Sequence, residues 1–211
     1  MITPAELNRI VKVLAGREKI FASVVERHGM PPLWEREPGF PTLMHIILEQ
    51  QVSLASAKTA FDRLCAVIGP PTPASFLTLD DVQLKTIGFS RQKARYGREL
   101  SRAIVEGRLD LEALANADDD TVRAELIKLP GIGHWTVDVY LLLVLRRPDA
   151  FAPTDLALQV SVQRLKKLKT RPTPLQVAAM AEKWRPYRAG AARLLWHAYL
   201  SERAQKNVRK T

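Results

Sequence analysis

Two short stretches combine residue types that can do chemistry. Leu129-Pro130-Gly131-Ile132-Gly133-His134-Trp135-Thr136 sets two glycines around one apolar residue. Pro130 ends the helical pattern of Val122, Leu126 and Leu129, because it lacks an N–H and disfavours the α region for the residue before it. Gly131 and Gly133 both allow positive φ and leave no side chain over the backbone. A helix starting near His134 and running to Leu145 would then expose the N–H groups of the turn to an anion, with phosphate the natural candidate. About twenty residues later, Phe151-Ala152-Pro153-Thr154-Asp155 places a lone carboxylate in a rigid turn ahead of another helix. Taken alone, Asp155 reads as a helix cap, and the glycines read as a tight turn between core helices. The second helix shifts that balance. Val137 to Leu145 is apolar apart from Asp138, so it must be buried, yet it begins at backbone suited to phosphate.

Leu-Pro-Gly-Ile-Gly-x-Trp-Thr followed by Pro-x-Asp resembles the helix-hairpin-helix (HhH-GPD) DNA glycosylases of base-excision repair, nearest their DNA-3-methyladenine glycosylase II group. Glu49-Gln50-Gln51-Val52-Ser53 and Trp184-Arg185-Pro186-Tyr187-Arg188 extend the resemblance over roughly residues 40–200. It implies a monofunctional glycosylase that hydrolyses the N-glycosidic bond of alkylated purines such as 3-methyladenine and leaves an abasic site. By place and spacing Asp155 matches the family's catalytic carboxylate. Such a group stabilises an oxocarbenium-like sugar and can orient or deprotonate a water.

The excised base must leave the stack, and a cationic methylated base suits an aromatic pocket. Trp135 and Trp196 fall at the family's pocket positions, Tyr140 is a third candidate, and two tyrosine positions of the family read here as Val139 and Leu156. The resemblance places Gln51 where a side chain fills the gap left by the flipped base. It places Gly131, Gly133, His134 and Thr136 against DNA. It also implies that the backbone carbonyls of Ile127, Leu129 and Gly131 hold a structural Na+ or K+, with no cofactor for catalysis. Two alternatives stand beside this reading. One is a glycosylase for an oxidised, mismatched or deaminated base, although lyase members carry Lys where this chain has Trp135. The other is a non-catalytic helix-hairpin-helix module that only binds DNA.

Composition agrees with a nucleic-acid partner. The net charge is +10 and the pI about 10.0, which favours a polyanion, with nucleic acid ahead of a membrane surface. The single cysteine, Cys65, permits no internal disulfide and cannot supply the four ligands of an iron–sulfur cluster. The longest apolar run, Val139 to Leu145, is too short to span a bilayer. The expected partner is damaged double-stranded DNA, bound by a monomer. The expected location is the cytoplasm (nucleoid) of a bacterium or the nucleus of a eukaryote.

The elements that must carry these residues read as helices throughout. Thr3-Pro4-Ala5-Glu6 is a capping box, and Leu7, Ile10, Val11 and Leu14 follow helical spacing. Ser53 and Ser90 cap further helices, and Gly88 terminates one. No segment alternates with period two, so the fold class is all-α. The family implies one domain of two helical subdomains, about 41–150 and about 1–40 with 151–211, flanking a DNA-binding cleft. The proline-rich loop Met30 to Gly39, which contains Trp34, reads as the crossing between them. The basic side chains from Arg91 to Arg102 read as a solvated helix surface, and Gln205 to Thr211 as a frayed tail.

Overall fold

The computed structural model describes residues 1–208, with side chains through Gln205, and every regular element among the described residues is helical. The chain separates into two compact units. One joins Met1–Glu35 to the chain from Leu141 onward, and the other is Arg36–Tyr140.

The first unit begins with α1 (Pro4–Arg17) and α2 (Lys19–His28). Thr3 and Glu6 close the expected capping box. Leu7, Ile10, Val11 and Leu14 all face inward, as their spacing requires.

The unit Arg36–Tyr140 runs through α3 (Phe40–Glu49), α4 (Leu54–Ile68), α5 (Pro73–Leu77), α6 (Asp81–Ile87), α7 (Arg91–Val105), α8 (Leu111–Asn116), α9 (Asp119–Leu126) and α10 (His134–Val139). Its core centres on Phe76, whose ring lies 6.3 Å from that of Phe40 and 5.5 Å from that of Phe89. Gly97 makes this packing possible, since a Cβ there would stand 2.6 Å from the Phe76 ring. The short α5 has a local cause. Thr72 and Ser75 close a second capping box around Pro73, which is enough to start one turn.

The apolar helix expected to run to Leu145 is interrupted. After Val139 the backbone widens into a π-helical turn, Tyr140–Val144, and the division between the units falls inside it. The first unit then resumes with α11 (Leu156–Leu165), α12 (Pro174–Ala181) and α13 (Arg188–Val208). Trp184 is fully buried, with Phe21 and Phe151 packed on it at 5.1 and 5.8 Å. Gly190 lets α13 cross α1 closely, because a Cβ there would meet Ile10 at 2.3 Å. Arg193 is buried completely. Its guanidinium donates to three backbone carbonyls, of Leu33 (2.9 Å), Ala189 (3.1 Å) and Leu142 (2.7 Å). Burial, reinforced by Arg146, lowers its pKa to about 10, so it stays charged at neutral pH. The last helix runs through Val208, and the tail residues 209–211 lie outside the described residues.

Candidate active site and nucleic-acid interface

In the unit Arg36–Tyr140 the glycine turn joins α9 to α10, as its sequence requires. Its two glycines are not equivalent. Gly131 takes φ +86°, the left-handed region, and the ring of Tyr96 lies so near that a Cβ would stand 2.1 Å from it. Gly133 does not use the positive φ open to it. It caps α10 at φ −100°, ψ 178°, an extended conformation open to any residue, and nothing lies within 4 Å of where its Cβ would be. One left-handed residue suffices to reverse the chain, and the second glycine serves by being bare.

Gly133 and His134 are exposed. No side chain caps the N-terminus of α10, so its first N–H groups have no partner of that kind. Thr136 departs from its expected place against DNA. It is 1 % exposed, and its hydroxyl accepts from Gln50 Nε2 at 2.9 Å, so its side chain braces the hairpin from within. Asp138 is also buried and pairs with Arg123. Trp135 is half-buried on α10. Tyr140 is corrected from pocket wall to core. It has no exposed surface, and burial raises its phenol pKa to about 12. Gln51 is exposed between α3 and α4 at φ +58°, a conformation that side chains rarely adopt.

These geometries make Gly133 a clean probe of DNA contact. Gly133→Asp has space and an unstrained backbone, so the variant is expected to fold as the parent does. Its carboxylate would oppose phosphate, and affinity should fall about tenfold or more for damaged and undamaged duplexes alike, since phosphate contacts carry no sequence information. Titration of both duplexes at two salt concentrations checks this, and unchanged affinity would reduce the hairpin to a plain turn.

In the other unit Asp155 caps α11. Its Oδ1 accepts the Leu158 N–H at 3.0 Å and the Trp196 Nε1–H at 3.1 Å. Asp155 is 9 % exposed, and it stands at the N-terminus of α11, where an acidic side chain complements the helix dipole. The cap and the charge are therefore compatible roles of one residue. Trp196 is half-buried on α13, and Trp34 stands edge-on to it at 6.5 Å between ring centroids. Trp34 also meets His197 at 6.3 Å and holds a positive φ of 48°. The Leu33 carbonyl beside it is fixed by the buried Arg193. Leu156, next to Asp155, is 54 % exposed although apolar. The first unit thus brings together a carboxylate and two indoles, one of which donates to the carboxylate and packs edge-on against the other.

The match to known proteins covers the hairpin and Asp155. The family described as HhH-GPD superfamily base excision DNA repair protein matches residues 44–186, more than half of the chain.

This protein belongs to the HhH-GPD superfamily.

Among HhH-GPD proteins it is 32% identical over 185 residues to Bacillus subtilis YfjP, a DNA-3-methyladenine glycosylase by name, covering 84% of this chain and 64% of that one. DNA-3-methyladenine glycosylase 1 of Schizosaccharomyces pombe is 26% identical, over 77% of this chain and 73% of its own. The fold matches a solved structure of an S. pombe 3-methyladenine DNA glycosylase in complex with abasic DNA, with TM-score 0.81 and 24% identity over 89% of this chain and 95% of that one. A DNA-3-methyladenine glycosidase from Bacillus halodurans gives TM-score 0.76 and 26% identity over 93% and 89%. No described helix is long and apolar enough to cross a membrane.

Two residues of this HhH-GPD site escaped the sequence reading. Trp34 lies in a proline-rich loop with no periodic pattern, and only the fold brings it to Trp196. Gln50 sits beside the expected Gln51, but its partners are on the distant hairpin.

Proposed function

We propose that this HhH-GPD protein is a monofunctional DNA glycosylase that excises alkylated purines, 3-methyladenine among them, and leaves an abasic site. The observation that carries the reading is Asp155. A lone carboxylate is held at one oxygen by a backbone N–H and an indole N–H, at a helix N-terminus, beside two tryptophans. That arrangement keeps a negative charge fixed where an oxocarbenium-like sugar would need it, at no reorganisation cost during the reaction. The indoles of Trp196 and Trp34 are the pocket groups for a flipped base in this unit. Electron-rich faces favour a cationic methylated purine over its neutral parent. The names of the relatives support the same substrate class.

The hairpin would hold the duplex. Its bare Gly133 and the uncapped start of α10 offer N–H groups to a phosphate. The carbonyls of Leu129 and Gly131 each accept one protein hydrogen bond, from the Ile132 N–H and from Gln50. A carbonyl has a second lone pair. With the Ile127 carbonyl they would supply the neutral oxygens that a structural Na+ or K+ calls for. Damaged double-stranded DNA is the partner, bound by a monomer.

A panel of duplexes, each with one defined lesion, tests the function by the base released. Excision of 3-methyladenine and related alkylpurines is expected, and exclusive release of an oxidised or deaminated base would overturn the substrate class. Schiff-base lyase chemistry needs an amine at the sugar, and Trp135 supplies none where lyase members of the superfamily carry Lys. Product strands should therefore remain intact with abasic sites, and borohydride should trap no covalent adduct. A strong trapped band would refute the monofunctional assignment.

A further inference from the structure

Gln50 makes two bonds that phosphate gripping and base excision do not call for. Its Nε2 donates to the Gly131 carbonyl at 2.8 Å and to the Thr136 hydroxyl at 2.9 Å. A primary amide carries two N–H groups, so both are engaged. One acceptor is the left-handed glycine of the turn, and the other lies in the first turn of α10. A single side chain therefore spans the whole bend of the hairpin from outside it.

Its backbone, meanwhile, ends α3, and the next residue is Gln51. The tip that follows is open to solvent, with Gln51 exposed, Val52 47 % exposed and Leu54 58 % exposed. The end of α3 is also fixed from behind. Lys93 Nζ donates to the Leu48 carbonyl at 2.6 Å. Arg36 forks onto the buried carboxylate of Glu49, at 3.0 and 2.7 Å. A non-glycine residue persists at φ +58° only where its surroundings over-determine it. The Gln50 amide on one side and the anchored helix end on the other supply that constraint.

We infer that Gln50 is a positioning residue that locks the Gln51 tip to the phosphate-binding hairpin. The proposal rests on the glycosylase reading, in which the hairpin grips a phosphate and Gln51 enters the gap left by the flipped base. Both contacts fall on one duplex, so their separation must match the DNA. A tip free to shift by an ångström would still touch DNA but would fill the gap badly. Gln50 sets that separation with its own side chain and touches neither the sugar nor the base.

Gln50→Leu keeps much of the volume and removes both donors. In single-turnover excision it should lose about tenfold on a lesion in a well-paired duplex, the scale of two neutral hydrogen bonds. It should lose less than about twofold on the same lesion opposite a mispair, where unstacking is already cheap. The salt dependence of binding should not change, because no phosphate contact is removed. Thr136→Val removes one acceptor and should show a smaller loss of the same kind. The double variant should add little to Gln50→Leu, as residues in one network do. Equal losses on both duplexes, or no loss on either, would overturn the clamp.

A second measurement does not depend on excision. Wild-type protein bound to a duplex with a tetrahydrofuran abasic analogue beside 2-aminopurine should change the fluorescence as the tip enters the gap. Gln50→Leu should bind with most of that change gone, as should Gln51→Ala, and an undiminished signal in Gln50→Leu would refute the clamp. If the wild-type protein released no base from any lesion, the glycosylase reading would fail while this signal still decided the role of Gln50.

Discussion

Replacing Asp155 with asparagine lowers excision on the order of 10²–10³-fold while leaving the fold and the affinity for damaged DNA nearly unchanged; loss of one preorganised charge contact at a transition state has that scale. The geometry lets the cap survive the change. Two structural donors, the Leu158 N–H and the Trp196 Nε1–H, meet the same oxygen, Oδ1. An asparagine carbonyl can accept both, and Asn and Asp are near-equal helix caps. Stability should therefore change by less than about 0.5 kcal/mol. The loss should be smaller for a 3-methylated purine, already cationic and a ready leaving group, than for neutral hypoxanthine. Single-turnover rates on the two lesions, with thermal melting of each protein, check the expectation. An Asp155→Asn protein with the wild-type rate would remove the carboxylate from the mechanism.

Gly131→Ala should be the most damaging single methyl group that can be added to the hairpin. Two costs fall on it together. A left-handed residue with a Cβ costs about 1–2 kcal/mol, and crowding a packed ring costs about 1–3 kcal/mol more. The added carbon would stand 2.1 Å from the Tyr96 ring, so the ring or the turn must move. The melting temperature is expected to fall by about 5–15 °C for a chain of this size, and DNA binding to fall with it. Gly131→Ala combined with Tyr96→Ala should recover part of the loss, because it frees the space but keeps the backbone strain. Gly133→Ala is the matched control and should melt as the wild type does. If all of these variants melted alike, the left-handed turn would carry no stability.

Much of this was legible in the sequence, for identifiable reasons. Caps announce themselves locally, so Thr3 with Glu6, Ser53, Ser90 and Asp155 were readable from residue type and spacing. Core faces followed from the spacing of Leu7, Ile10, Val11 and Leu14. Three kinds of feature were not legible. A uniformly apolar stretch such as Tyr140–Val144 has no polar stripe to report its period, so the π turn and the burial of Tyr140 were hidden. Glycine identity permits a positive φ without requiring it, and so the sequence did not tell Gly131, which uses it, from Gly133, which does not. Contacts across long sequence separations leave no local trace, so Trp34 against Trp196 and Gln50 against Gly131 appeared only in the fold. The candidate carboxylate was thus readable, while the groups that hold and frame it were not.

The threading of the chain has a consequence for its synthesis. The unit Arg36–Tyr140 is continuous, but the other is made of the stretches on either side of it. On a ribosome the helices α1 and α2 emerge ahead of that middle unit, carrying apolar faces such as Ile10 and Phe21 that are buried in the finished fold. Gly190, which admits Ile10, and Trp184, which covers Phe21, follow more than a hundred residues later. At elongation rates of about 5–20 residues per second those faces wait for roughly ten seconds or more. The continuous unit can finish within that interval. The nascent protein therefore passes through a state with its middle folded and its beginning still exposed. That is the window in which a chaperone would find it, and the Arg193 guanidinium, binding Leu33 to α13, is among the contacts that close it.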